Sequence, residues 1–141
     1  MNIERKFRTF YRLSFRRKFF LLLLIPLSLC SKVMLSFFKK KAKFGEKKLA
    51  DSISINMALV KDISFAINVM SKYTPWENVC RHQAYQAMLL CRFYRIPYQI
   101  FVGFKKSDEG KIEGHAWTMI NGEIITGFCK VEEYTIQAIY S

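Results

Sequence analysis

Thr74-Pro75-Trp76-Glu77-Asn78-Val79-Cys80 and Gly114-His115-Ala116-Trp117 bound the stretch whose reading decides the fold. Thr74, Pro75 and Glu77 have the form of a helix start: a side-chain cap, a ring suited to the first helical position and the acid of a capping box. The helix predicted from there runs to about Tyr94, with Cys80, Ala84, Ala87, Leu90 (or Cys91) and Tyr94 on one stripe. Arg95-Ile96-Pro97 ends it, because proline lacks an amide donor and clashes with the preceding turn. Beyond it the apolar period changes to two. Residues 98–104 read as a strand, 105–114 as a polar loop and 115–120 as a second strand. Asn121-Gly122 is a two-residue hairpin signal leading into 123–126, and 134–140 supplies a last strand. A helix followed by a small antiparallel sheet is an α+β core.

Cys80 and His115, 35 residues apart on a helix and a strand, have the separation of a thiol nucleophile and a base that meet in space rather than in sequence. Taken singly, each has a plainer reading: a small buried hydrophobe, and a hydrogen-bonded core histidine. Cys80 falls in the second turn after the expected cap, where the helix dipole helps only modestly, so His115 is the stronger activator. His82 does not face Cys80, since residues two apart on a helix diverge, and it reads as a surface residue. Trp76 and Trp117 read as core aromatics. Cys30, Cys80, Cys91 and Cys129 show no CxxC pair and no metal-ligand spacing. Three of the four read as packing residues, the thiols as reduced and cytoplasmic, and no metal or cofactor is called for.

Upstream the chain changes character. Net charge is +12, and residues 1–48 carry 14 Lys or Arg against 2 acids while 49–141 balance at 9 and 9. The excess therefore marks a basic, hydrophobic N-terminal helical segment over 1–48, followed by a neutral domain over 49–141. A neutral domain argues against a nucleic-acid partner. The basic segment is suited to an anionic membrane surface, an acidic peptide or a partner protein. Basic and aromatic residues alternate through 1–18, a charge-free run covers 19–30, Lys32 interrupts, and Lys39-Lys40-Lys41 closes the stretch. A spanning helix needs roughly 20 apolar residues, which 19–38 reaches only by accepting Lys32, Pro26 and three serines. A signal peptide wants a small-residue cleavage site, which Leu29-Cys30-Ser31-Lys32 lacks. An interfacial or packed helix tolerates all of it. After a polar connection over 43–56, Leu59, Ile63, Ala66, Ile67 and Met70 recur at helical spacing, with Lys61 and Asp62 facing away.

Pro75-Trp76…Cys80 with Gln83-Ala84…Leu90, then Ile96-Pro97…Val102-Gly103 and Gly114-His115-Ala116-Trp117, resembles the transglutaminase-like cysteine peptidases of lasso-peptide (microcin-type) maturation. The arginine-flanked N-terminal segment, Asp62-Ile63-Ser64 and Ile125-Thr126-Gly127 extend the resemblance over essentially the whole chain. It implies a papain/transglutaminase-like fold, a nucleophile helix packed on a small antiparallel sheet and preceded by N-terminal helices. It also implies Cys80 as nucleophile, His115 as base and an aspartate as third member. The activity implied is removal of the leader from a ribosomally made precursor peptide before macrolactam cyclisation. The partners implied are that precursor, a small leader-recognition protein and the ATP-dependent lasso cyclase, with residues 1–43 free to contact a membrane surface.

The third member is where the sequence departs. No Asp follows His115 within a dozen residues. A two-residue turn at 121–122 pairs 120 with 123 and 115 with 128, which turns Glu123 to the face opposite His115. Thr126 falls on the histidine's face, and a threonine hydroxyl or a backbone carbonyl is left to orient the ring. Two other classes stay open: a non-catalytic adaptor of a peptide-maturation complex, and acyl transfer on the same Cys/His pair.

Overall fold

The computed structural model describes residue 8, residues 10–37 and residues 55–141. The boundary expected at 48/49, Lys39-Lys40-Lys41, nearly all of the polar connection, and Arg5 and Lys6 lie outside them. Among the described residues the order is α1 (Phe15–Phe37), α2 (Met57–Tyr73), α3 (Cys80–Phe93), β1 (Gln99–Lys106), β2 (Ile112–Ile120), β3 (Glu123–Thr126), a 3-10 turn (Val131–Glu133) and β4 (Thr135–Tyr140). This is the α+β arrangement expected: helices packed on an antiparallel sheet.

Asn56 starts α2, its side chain accepting the Leu59 amide at 3.1 Å, which satisfies one of the donors a helix start leaves free. The three-to-four spacing then carries Val60, Ile63, Ala66 and Ile67 into the core. Asp62 does not face away as expected. It is 5% exposed because α1 lies against it: Arg16 Nε and Arg17 Nε each donate to one carboxylate oxygen, the latter at 2.7 Å, and the Arg17 guanidinium stacks on Phe65. Burial pushes the Asp62 pKa up, but the hydrogen bonds from Arg17 and Arg16 and their charges outweigh it, so the carboxyl ends below its usual value of 3.8.

The predicted capping box does not form. Thr74 closes α2 instead of opening α3: its amide and its hydroxyl both donate to the Met70 carbonyl, each at 3.0 Å. A helix end leaves carbonyls that need donors and a helix start leaves amides that need acceptors, and Thr74 serves the first need. α3 consequently begins at Cys80, with Val79 as an extended cap that gives no side-chain bond. It ends through Tyr94 and the positive-φ Arg95, with the Ile96 amide returning to the Cys91 carbonyl at 2.8 Å.

The strands order as β3-β2-β1-β4, all antiparallel. Asn121 and Gly122 hold φ of 50° and 78°, the left-handed pair a tight hairpin needs. β3 pairs with only three residues of β2, and its register shifts between Thr118 and Met119 so that Thr118 faces Thr126 while Met119 faces Ile124. Ile125 is the extra residue of this bulge. β4 pairs with β1 rather than with β3, so residues 127–134 cross the sheet. They cross on the face that the helices leave, since Tyr134 packs on His115 and Trp117. The helix-facing side buries Ile100, Ala116, Ile120 and Ile125 with Ala84, Ala87, Met88 and Cys91 of α3.

α1 shares this core. Phe20, Leu24 and Leu35 are buried in it, and Ser31 accepts a bond from Gln86 of α3 at 3.0 Å. By length and composition α1 could cross a membrane, yet a third of its most apolar window is buried inside the protein.

Candidate active site

Cys80 is half-buried and is the first residue of α3, not a second-turn residue. The helical ladder begins with the Gln83 amide donating to the Val79 carbonyl at 3.1 Å, so the amides of Cys80, Arg81 and His82 have no intrahelical acceptor. The loop before it is pinned from α3 itself. Gln83 Nε2 donates to the Asn78 carbonyl at 3.0 Å and Gln86 Nε2 to Asn78 Oδ1 at 2.9 Å. Both glutamines reach back to the residue two positions before the thiol.

His115 is half-buried on β2. Its Nε2 lies 2.9 Å from the Gly127 carbonyl oxygen. A carbonyl only accepts, so Nε2 carries the hydrogen and the neutral ring presents Nδ1 as a lone pair. Gly127 makes this contact possible. It sits at φ +66°, where a Cβ would stand 2.2 Å from the Ala116 carbonyl oxygen and 3.0 Å from the Trp117 Cα. Only glycine brings its backbone that close to β2.

The imidazole is boxed by aromatics. Tyr134 lies 5.3 Å from its centroid and Trp117 6.2 Å, both near-parallel to it. Trp117, fully buried, stacks on Phe101 at 5.5 Å. Gly103 leaves room for this stack, because a Cβ there would lie 3.3 Å from the Trp117 ring.

Cys80 and His115 are not hydrogen-bonded to one another among the described residues. Gly127, which holds the imidazole, opens the segment Gly127-Phe128-Cys129. Burial raises the Cys129 pKa, the Glu132 and Glu133 carboxylates add to it, Lys105 opposes it and the Cys80 thiol adds least. β3 leaves the first part of β2 unpaired on that side, so this segment turns over the sheet beside His115.

Several expectations change here. Thr126 cannot orient His115: the bulge pairs it with Thr118, and parity then turns it to the opposite face. Its hydroxyl is buried without a partner. The backbone carbonyl takes that role. His82 is not a surface residue but 2% exposed, its Nδ1 without a partner. Burial lowers its pKa, Glu77 opposes this, and Arg81 and Lys32 add to it. Of the cysteines only Cys91 is fully buried, and burial pushes its thiol up to about 12. Cys30 is exposed and Cys129 half-buried. Among the described residues no three His, Cys, Asp or Glu side chains converge as metal ligands would.

Residues 21–138 match the family model of the transglutaminase-like superfamily. The chain belongs to that superfamily. Transglutaminase-like proteins are typically cysteine-based peptidases or acyltransferases. The matched region begins inside α1, so the superfamily domain here includes that helix. No curated protein matches the sequence, and no solved structure matches it. Sequence reasoning missed Gly127 and the Asn78–Gln86 bond. Gly127 carried a signal, a glycine directly after a hairpin strand; the bond carried none, since glutamine is common on exposed helix faces.

Proposed function

We propose that this transglutaminase-like protein is a leader peptidase of lasso-peptide maturation, with Cys80 as nucleophile and His115 as base. The observation that carries the catalytic part is the His115 Nε2–Gly127 carbonyl bond, which fixes the tautomer with Nδ1 free. Nδ1 takes the Cys80 proton, and the thiolate adds to the peptide carbonyl. The developing oxyanion has donors within reach in the unpaired amides of the first α3 turn. The imidazolium then protonates the leaving amine, and water, deprotonated by the same Nδ1, releases the acyl group. The substrate class rests on the motif resemblance, as do the partners: the precursor, a small leader-recognition protein and the ATP-dependent cyclase.

The decisive assay combines the protein with a precursor from its own gene neighbourhood and reads the products by mass. Loss of a leader fragment by wild type and intact precursor with Cys80→Ala is the expected result. Full cleavage by Cys80→Ala sinks the proposal. A mass-conserving crosslink instead of a fragment assigns acyl transfer, which proceeds through the same acyl-enzyme.

The carbonyl partner of His115 favours a second reading, a non-catalytic adaptor, because a neutral acceptor supports an imidazolium less than a carboxylate does. Selective alkylation of Cys80 at neutral pH counts against the adaptor.

A further inference from the structure

α1 is apolar on both faces: Phe20, Leu24 and Leu35 are buried in the core, yet the opposite face is apolar as well. Its inward face includes Ser28 and Ser31, both fully buried, with Ser31 accepting from Gln86. Its outward face carries Phe19, Leu22, Ile25, Leu29, Val33 and Phe37, between 43% and 81% exposed. These six recur at three- and four-residue steps, so they form one stripe. No residue exposed between 19 and 37 is charged, since Lys32 is only half-exposed. From Phe19 to Phe37 the stripe is about 27 Å long at 1.5 Å per residue.

We infer that α1 is an in-plane membrane anchor: the outer stripe lies at the headgroup–acyl boundary of an anionic bilayer, with the helix axis parallel to the surface. Two observations choose this occupant. The helix is bracketed by cations, Arg8, Arg12 and Lys18 before or at its start and Lys39, Lys40 and Lys41 beyond its end, within a segment of 14 basic and 2 acidic residues. Both groups meet one anionic surface only if the helix lies along it. The inward face is also committed. Asp62 holds Arg16 and Arg17, and α2 and α3 bring exposed Lys61, Lys72 and Arg81 with them. A spanning orientation would strip α1 from this core or drag those charges into lipid. The inference does not depend on the peptidase reading.

The test is cosedimentation of the full chain with vesicles of phosphatidylcholine alone or mixed with phosphatidylglycerol. The expected result is binding to the anionic vesicles that salt weakens and that falls by at least about tenfold in Leu22→Glu/Leu29→Glu, on the scale of losing two buried apolar side chains. Both positions face outward, so the circular dichroism of that variant should match wild type. Replacing Lys39, Lys40 and Lys41 by Gln, which leaves the stripe intact, should weaken binding to anionic vesicles only. Wild-type protein left in the supernatant with both vesicles overturns the inference, and so does a double variant that binds like wild type. A wild-type dimer dissolved by the double variant, without lipid binding, assigns the stripe to a second copy instead. Binding that survives an alkaline carbonate wash overturns the in-plane arrangement in favour of insertion.

Discussion

On the side of the sheet turned to the helices, Ile100, Ala116, Ile120 and Ile125 are buried against α2 and α3. The other side carries Phe101, His115 and Trp117, and it is closed by residues 127–134 with Tyr134 on top. The first side is mostly aliphatic, with Thr118 and Thr126 buried among the isoleucines. The second is aromatic, leaves a histidine half-exposed and depends on one backbone carbonyl. Alternation along a single strand separates the two tasks: Ala116 serves folding, while His115 and Trp117 on either side of it serve the site. Damage to one side should therefore register as stability and damage to the other as activity.

The sharpest break in that division is Cys80→Ala. It should lower turnover at least about 10³-fold while changing the unfolding free energy by less than about 1 kcal/mol, read by mass spectrometry and urea denaturation on the same preparation. An equal loss of both would merge the two sides into one. Ile100→Ala, fully buried, should do the opposite: a loss of about 2–4 kcal/mol, with activity per folded molecule unchanged. Gly127→Ala links the sides. A side chain at φ +66° with the Ala116 oxygen 2.2 Å away should cost about 1–3 kcal/mol, and cleavage should fall further than the lost stability explains. If cleavage falls only in step with stability, the carbonyl does not position His115.

Two smaller effects concern titratable groups buried in the helical layer. Asp62→Asn should lose about 1–3 kcal/mol at pH 7, since both arginines bond a carboxylate. Its folded pKa lies below the unfolded 3.8, so that stability is present in full above 3.8 and disappears as pH falls through the folded value. The variant and wild type should converge in acid. His82 has a folded pKa below 6.5, and the unfolded chain takes up its proton first. Stability should therefore decline as pH falls below 6.5, and His82→Leu should flatten the curve between pH 7.5 and 5.5. An unchanged slope would mean that His82 is hydrated.

Much of the scaffold was legible because it is local. Asn121-Gly122 demands left-handed backbone and receives it, the period of α2 brings Ile63, Ala66 and Ile67 inward, and the shift to period two marks the sheet. The start of α3 was misread because Thr74 serves two helices and the sequence does not say which. Thr126 was assigned to the histidine's face because a one-residue bulge reverses parity, and nothing in Ile124-Ile125-Thr126 announces it. Asp62 and His82 were read as solvent-facing since polar residues usually are; the helices packed on them decide otherwise.

By itself the sequence determined the α+β class, the superfamily motif around Cys80 and His115, and the concentration of positive charge in the first third, because these depend on residue type and near-neighbour spacing. The tertiary structure alone decided that Cys80 opens its helix, that the Gly127 carbonyl rather than Thr126 holds the imidazole, and that α1 turns Ser28 and Ser31 inward and Phe19, Leu22 and Leu29 out. Those outcomes depend on which distant segments meet. In a close-packed interior that choice is settled by donors and volumes competing across the whole chain, which no window of sequence contains.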